Sequence, residues 1–229
     1  MSGKNPRKAV AALGEGTRLR DLAYARIFEL MYERRLPTGA MVSQSQLVEL
    51  TGVPVAPLRD ALRTLEAEGV LVIHPHTGIQ FIRPGMELTR STYQFRGVIE
   101  AAAVAVYAET ASDAEIAALL QRHQDVARSL ERDGLTEKNA SDLEALEESL
   151  HGTIVASFNN PLIDTSYRRI RNYLRLLRLD RKMSAPLALR SVREHIAVLE
   201  ACRAHNAPAA VAAIQAHFAA ALQRNLGLY

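Results

Sequence analysis

The sequence predicts a mainly α-helical protein in two parts: an N-terminal winged helix-turn-helix and a C-terminal all-α bundle of six or seven helices. Three observations predict this class. Short helical stripes followed by two β-prone runs fill the first third of the chain. Beyond residue 87 the apolar residues keep helical spacing and no alternating strand pattern interrupts them. The basic excess is confined to the front, with 11 Lys and Arg against 8 Asp and Glu over residues 1–86, whereas residues 87–229 hold 17 of each.

Residues 1–18 read as a mobile arm, since MSGKNPRKAVAALGEG is polar, carries Gly and Pro and lacks a sustained period. The first helix follows Thr17, with Leu19, Leu22, Ala23, Ile27, Leu30 and Met31 near helical spacing, and ends before Pro37 and Gly39. Ser43 with Gln46 has capping-box spacing and opens a short second helix on Leu47, Val48 and Leu50. A third helix from Ala56 to Glu68 carries Pro57 in its first turn and the stripe Leu58, Ala61, Leu62, Leu65. Val70–Ile73 and Gln80–Ile82 then flank His74-Pro75-His76-Thr77-Gly78 as a two-stranded wing. This winged domain spans residues 19–83, residues 84–87 are a linker, and residues 88–229 are the helical domain. Within the last part Ser112 with Glu115 and Ser191 with Glu194 have capping-box spacing, while Gly134, Asn159-Asn160-Pro161 and Asn206-Ala207-Pro208 mark breaks.

The chain is long enough for two modest cores, and 48% apolar content is ample to fill them. A single cysteine, Cys202, excludes an internal disulfide framework, and no long apolar run suggests secretion or membrane insertion, so a cytoplasmic protein is expected.

Two groups of residues carry candidate chemistry. Arg59 and Arg63, four apart, project from one side of the third helix, opposite its leucines. A guanidinium matches the paired acceptors of guanine and also grips phosphate, but two arginines can equally keep an exposed face solvated. In the helical part, Glu147 and His151 share an i, i+4 row with Leu143 and Val155, while His195 and His217 interrupt apolar stripes on two later helices. Inward-facing polar groups need partners. A metal would satisfy all four together, as bundles build such sites from facing helices; separate hydrogen bonds are the alternative.

The head resembles GntR-family regulators through Ser43-Gln44-Ser45-Gln46-Leu47-Val48, then GVPVAPLRDALRTLEAEGVL and the wing with Gly78. The resemblance implies a homodimer on a palindromic double-stranded operator, usually as a repressor. It also implies DNA contacts by Ser43, Arg59 and Arg63 and a wing that turns at Gly78 close to the DNA backbone. Pro54-Val55 stands where the family usually has Ser-Arg, so one capping hydroxyl and one cation are missing, and Thr77 replaces a common basic residue, leaving His74 and His76 as the wing's candidate contacts. The helical part is similar to the FCD effector domain of the FadR-type subgroup, through Arg96 with Glu100, Glu147-Glu148-Ser149-Leu150-His151, Asn160-Pro161-Leu162, Glu194-His195 and His217-Phe218. That likeness implies a divalent metal, zinc or nickel, on Glu147, His151, His195 and His217, with Glu147 replacing the family's Asp. It further implies a small carboxylic acid effector, with Arg96 and Asn160 as its contacts. Arg168, Arg171, Arg175 and Arg178 have the spacing of a solvated helix face. The competing expectations are a metal-dependent enzyme using Glu147 as base, and a regulator with structural histidines and no metal.

Overall fold

The computed structural model describes residues 6–179 and 183–227, with side chains from residue 17 onward. The chain divides into two compact units, and the division is not sequential. The first runs to Pro84 and includes the later segment that begins at Arg171; the second takes Gly85 to Ile170 and the described residues from 183 onward.

In the first unit α1 spans Pro6–Tyr32, β1 Met41–Val42, α2 Gln44–Thr51, α3 Val55–Ala67, β2 Leu71–His74 and β3 Gly78–Phe81. The helix therefore starts at Pro6, not after Thr17, so most of the stretch read as a mobile arm is helical. A proline is tolerated in a first turn, where its missing N–H would be unbonded anyway, and Ala9, Ala11 and Ala12 favour propagation. Residues 1–5 of that arm lie outside the described residues.

The short second helix forms as its sequence predicts. The Ser43 hydroxyl accepts the Gln46 N–H at 3.2 Å, the Gln46 side chain accepts the Ser43 N–H at 2.8 Å, and Gly52 closes the helix in the left-handed region at φ 68°. By contrast α3 starts at Pro54 without a side-chain cap, the consequence of the missing hydroxyl. Its stripe Leu58, Ala61, Leu62 and Leu65 is buried against Ile27 and Met31 of α1 and against Leu47, Leu71 and Phe81. The wing has three strands rather than two, in the order β1-β3-β2 and antiparallel throughout. Two residues of β1, Met41 and Val42, are too short a run to show a strand period in sequence.

Leu176 is fully buried in this same core, and Tyr173 and Leu179 pack against it. Glu68 at the end of α3 accepts the Tyr24 hydroxyl at 2.6 Å and the Asn172 side-chain amide at 2.8 Å on one oxygen. The segment 171–179 thus packs in the same compact unit as the winged head, although it lies within the stretch read as the helical domain. The arginines at 171, 175 and 178 are half-buried, and Arg175 lies 5.6 Å over the Phe28 ring. The apolar residues Tyr173, Leu176 and Leu179 between them recur every three positions, which places them on the packed face.

The second unit is built from α4 (Met86–Thr110), α5 (Asp113–Asp133), α6 (Glu137–Ala156), the first half of α7 (Pro161–Leu179), α8 (Ala185–Arg203) and α9 (Ala207–Leu226). Ser112 caps α5 through the Glu115 N–H, and Gly134 follows the helix as predicted. Ser191, however, is not a cap. The helix α8 begins six residues earlier, after Ser184 with Pro186 in its first turn, and Ser191 is buried within it, donating to Glu147 at 3.2 Å. Proline in the first turn overrides the capping-box spacing as a start signal. Among the described residues no helix is long and apolar enough to cross a membrane.

Candidate metal centre and nucleic-acid interface

The leucine stripe that fixes α3 in the core also fixes what α3 shows to solvent. Arg59 and Arg63 are exposed, and among the described residues neither is engaged in a hydrogen bond or ion pair. Two unpartnered guanidinium groups one turn apart form a cationic ridge on the helix that a winged head places in a major groove. Ser43 is exposed but its hydroxyl is committed to α2, in contact with the Gln46 N–H and with Ser45 at 2.9 Å. His76 stands exposed at the tip of the wing turn, where φ is 62°. Gly78 has a different physical reason from the one the resemblance implies. At φ 140° a Cβ would meet the Val42 carbonyl oxygen at 2.8 Å, so the glycine admits β1 beside β3.

In the second unit three helices converge on one point. His151 of α6, His195 of α8 and His217 of α9 are all buried and each offers a ring nitrogen within 4.8 Å of the others. Their rings lie 4.6 to 5.4 Å apart. Two of these imidazoles are oriented by carboxylates. The Nδ1–H of His151 donates to Glu100 at 2.5 Å, and that of His217 to Glu194 at 2.9 Å, which leaves each Nε2 with its lone pair. Glu194 is in turn gripped through both its oxygens by Arg224 at 2.7 Å. Burial would raise the Glu194 pKa, but His217 and Arg224 outweigh it and draw it down to about 2. Glu147 reaches the cluster from α6, with one oxygen 3.4 Å from His195 Nε2 and the other 3.9 Å from His151 Nε2.

A fourth histidine, His123 on α5, lies next to His195 outside this group of three and was not singled out in the sequence. It is fully buried and edge-on to His195 at 5.4 Å. Its signal was available, because it sits on the stripe Ile116, Leu119, Leu120, Val126 and Leu130 just as His195 sits on its own.

Arg96 is 1% exposed and sits beside the cluster. Its Nε donates to Glu100 at 2.6 Å and its guanidinium lies 4.5 Å over the Phe218 ring. Glu100 therefore takes Arg96 and the Tyr167 hydroxyl, at 2.7 Å, on one oxygen and His151 on the other. Burial alone would raise the Glu100 pKa, yet Arg96 and His151 pull it down to about 2. Asn160, expected as an effector contact, uses its side-chain oxygen to cap α7, accepting the N–H groups of Leu162 at 3.0 Å and Ile163 at 3.4 Å.

The residues present fit a divalent cation by what they leave unsatisfied. His151 Nε2 and both nitrogens of His195 are buried with no hydrogen-bond partner, as is Nε2 of His123. Nitrogen lone pairs without donors are costly in a protein interior and are what an imidazole site offers a metal. Burial also keeps these rings neutral: it lowers His195 well below the usual histidine value, and, with Arg96 adding to it, brings His151 from 6.5 to about 4. The unfolded chain takes up a proton on His151 near 6.5 whereas the native chain resists until about 4, so over that interval the unfolded state binds more protons. Metal-free protein is therefore expected to melt at progressively lower temperature as pH falls from about 7 to about 4, measured by circular dichroism with chelator present. A melting temperature that is flat or rising over the same interval would contradict the neutral cluster.

A winged helix-turn-helix with a bare cationic helix, in one chain with a helical bundle enclosing ionisable groups, defines a class: DNA-binding regulators with a helical sensing domain. Comparison with known proteins supplies the family. The FCD-domain family model matches residues 91–220, and that of the bacterial regulatory proteins, gntR family, matches residues 19–81. The chain belongs to the GntR family of transcriptional regulators, in the group that carries an FCD effector domain. The matched families are those of regulators, not enzymes. No curated protein matches the sequence. Among solved structures, a GntR protein from Rhodococcus sp. RHA1 aligns at 18% identity and TM-score 0.73 over 94% of this chain and 99% of its own. The E. coli McbR/YncC protein aligns at 16% identity and TM-score 0.72 over 92% and 98%. The metal-free FCD domain of TM0439 aligns at 19% identity and TM-score 0.52 over 64% of this chain and 99% of its own. At these identities the likeness is one of fold.

Proposed function

We propose that this regulator binds a palindromic operator as a homodimer, represses from it, and is released or tightened by a small organic acid held at a metal in the FCD domain. Arg59 and Arg63 carry the DNA contact, with His76 reaching from the wing; Ser43 and Gly78 serve by shaping α2 and the wing. Glu147, His151, His195 and His217 hold the cation, of which zinc and nickel suit the imidazole-rich donor set best. When bound, the metal supplies a Lewis-acidic position for an acid's carboxylate.

The protein's own part is orientation and charge. Glu100 and Glu194 fix the tautomers of His151 and His217 so that both direct Nε2 inward. Arg96 has one terminal nitrogen buried without a hydrogen-bond partner, a remaining donor for an anionic ligand beside the histidines. The acid must bind one arrangement of the dimer more tightly than the other, since equal affinity would shift nothing.

The observation that carries this reading is the orphaned, buried nitrogens of His151 and His195, brought within 4.8 Å of His217 where three helices converge. Separate hydrogen bonds, the alternative role for these histidines, are not made by either nitrogen of His195, whose Nε2 has only a Glu147 oxygen at 3.4 Å. Elemental analysis of protein purified without chelator is expected to find about one divalent ion per chain, and reconstitution should raise the melting temperature. No retained metal, and no shift with zinc, nickel, cobalt or manganese, would remove the metal from the account.

A further inference from the structure

His123 is not among the residues that the family resemblance assigns to the metal, yet its surroundings are those of a ligand. Its Nδ1 lies 2.7 Å from the Leu119 carbonyl oxygen. A carbonyl only accepts, so Nδ1 carries the ring proton and Nε2 carries a lone pair. That Nε2 is buried and has no hydrogen-bond partner. A backbone carbonyl on the far nitrogen is the same kind of outer contact that Glu100 gives His151 and Glu194 gives His217. The ring stands edge-on to His195 at 5.4 Å, and neither nitrogen of His195 makes a hydrogen bond. The Nε2 lone pair of this fully buried ring thus has no donor, as a metal ligand's would not.

We propose that His123 is a fourth histidine ligand, donating Nε2 to the same divalent cation as His151, His195 and His217. The proposal rests on the metal reading above and sharpens it. With Glu147 the chain then supplies five donors, and an octahedral ion keeps one position for an outside ligand. The acid effector would accordingly bind the metal through a single oxygen, with its second contact left to Arg96. A flexible α5 is not required, because the Leu119 bond already sets the ring.

The test uses full-length protein reconstituted with cobalt(II), which reports ligating imidazoles as separate hyperfine-shifted, exchangeable N–H proton signals. Four such signals are expected from the wild type and three from His123→Leu. Competition against a chromophoric chelator should show metal affinity at least about tenfold lower in His123→Leu, in line with losses at metal sites. The metal-free variant should melt no lower than the wild type, since leucine removes an orphaned nitrogen from the core. Three signals in the wild type would overturn the proposal whatever the variant does, because His123 would then act at most by holding His195. Unchanged affinity in a folded His123→Leu would overturn it equally. Failure of the wild type to take up cobalt at all would instead overturn the underlying metal reading, and this proposal with it.

Discussion

Replacing Arg59 and Arg63 together with alanine is expected to abolish specific protection of DNA upstream of the gene while leaving the fold untouched. Each arginine that reads a base edge contributes about 1–3 kcal/mol, and each that grips phosphate weakens binding to all sequences and lowers the salt slope by about 1. The pair therefore stands for roughly a 30-fold to 20,000-fold loss of affinity. The melting temperature should not move, because both side chains are exposed and neither is held by another group among the described residues. Measuring the single variants at several salt concentrations separates the two kinds of contact. A residue whose loss relaxes sequence preference reads a base; one whose loss only flattens the salt dependence holds phosphate. Affinity unchanged in the double variant would return both arginines to the role of solvating an exposed helix.

The second large effect is expected at His195. Its ring is fully buried, both its nitrogens lack hydrogen bonds, and Glu147, His217, His151 and His123 surround it. His195→Ala removes the central donor of the site. Metal affinity should fall by more than the roughly 10- to 100-fold typical of losing an outer partner of a ligand. The melting-temperature rise on metal addition should then vanish at concentrations that saturate the wild type. DNA binding by the winged head should persist, since α3 belongs to the other unit, but its response to acid should be lost. A variant that still gains stability from metal as the wild type does would show that the histidines are structural.

How legible these features were in the sequence depends on how local their causes are. The second and third helices were readable because a capping box and a leucine stripe are complete within about a dozen residues. The same holds for His151, His195 and His217, each visible as a polar residue interrupting an apolar face. What the sequence hid is set by contacts between distant segments. The two residues of β1 form a strand only because β3 lies beside them, and Gly78 is explained by the Val42 carbonyl rather than by its own turn. The helix α7 reads as one solvated arginine face, yet Leu176 enters the core of the head more than a hundred residues upstream. Glu100 and Glu194 could be seen beside functional residues, but their hold on the histidine tautomers requires α4, α6, α8 and α9 in place. Ser191 shows the opposite error: a local capping pattern was present, and a proline further upstream had already started the helix.

The most direct test of the account titrates operator-region DNA with metal-loaded, full-length protein in the presence of a panel of small mono- and dicarboxylic acids, and repeats the series after chelation. The account predicts tight, salt-sensitive binding to that DNA, at least one acid that shifts its affinity about tenfold or more, and loss of that shift once the metal is removed. An acid response that survives chelation undiminished would contradict it, as would the absence of specific binding at low salt.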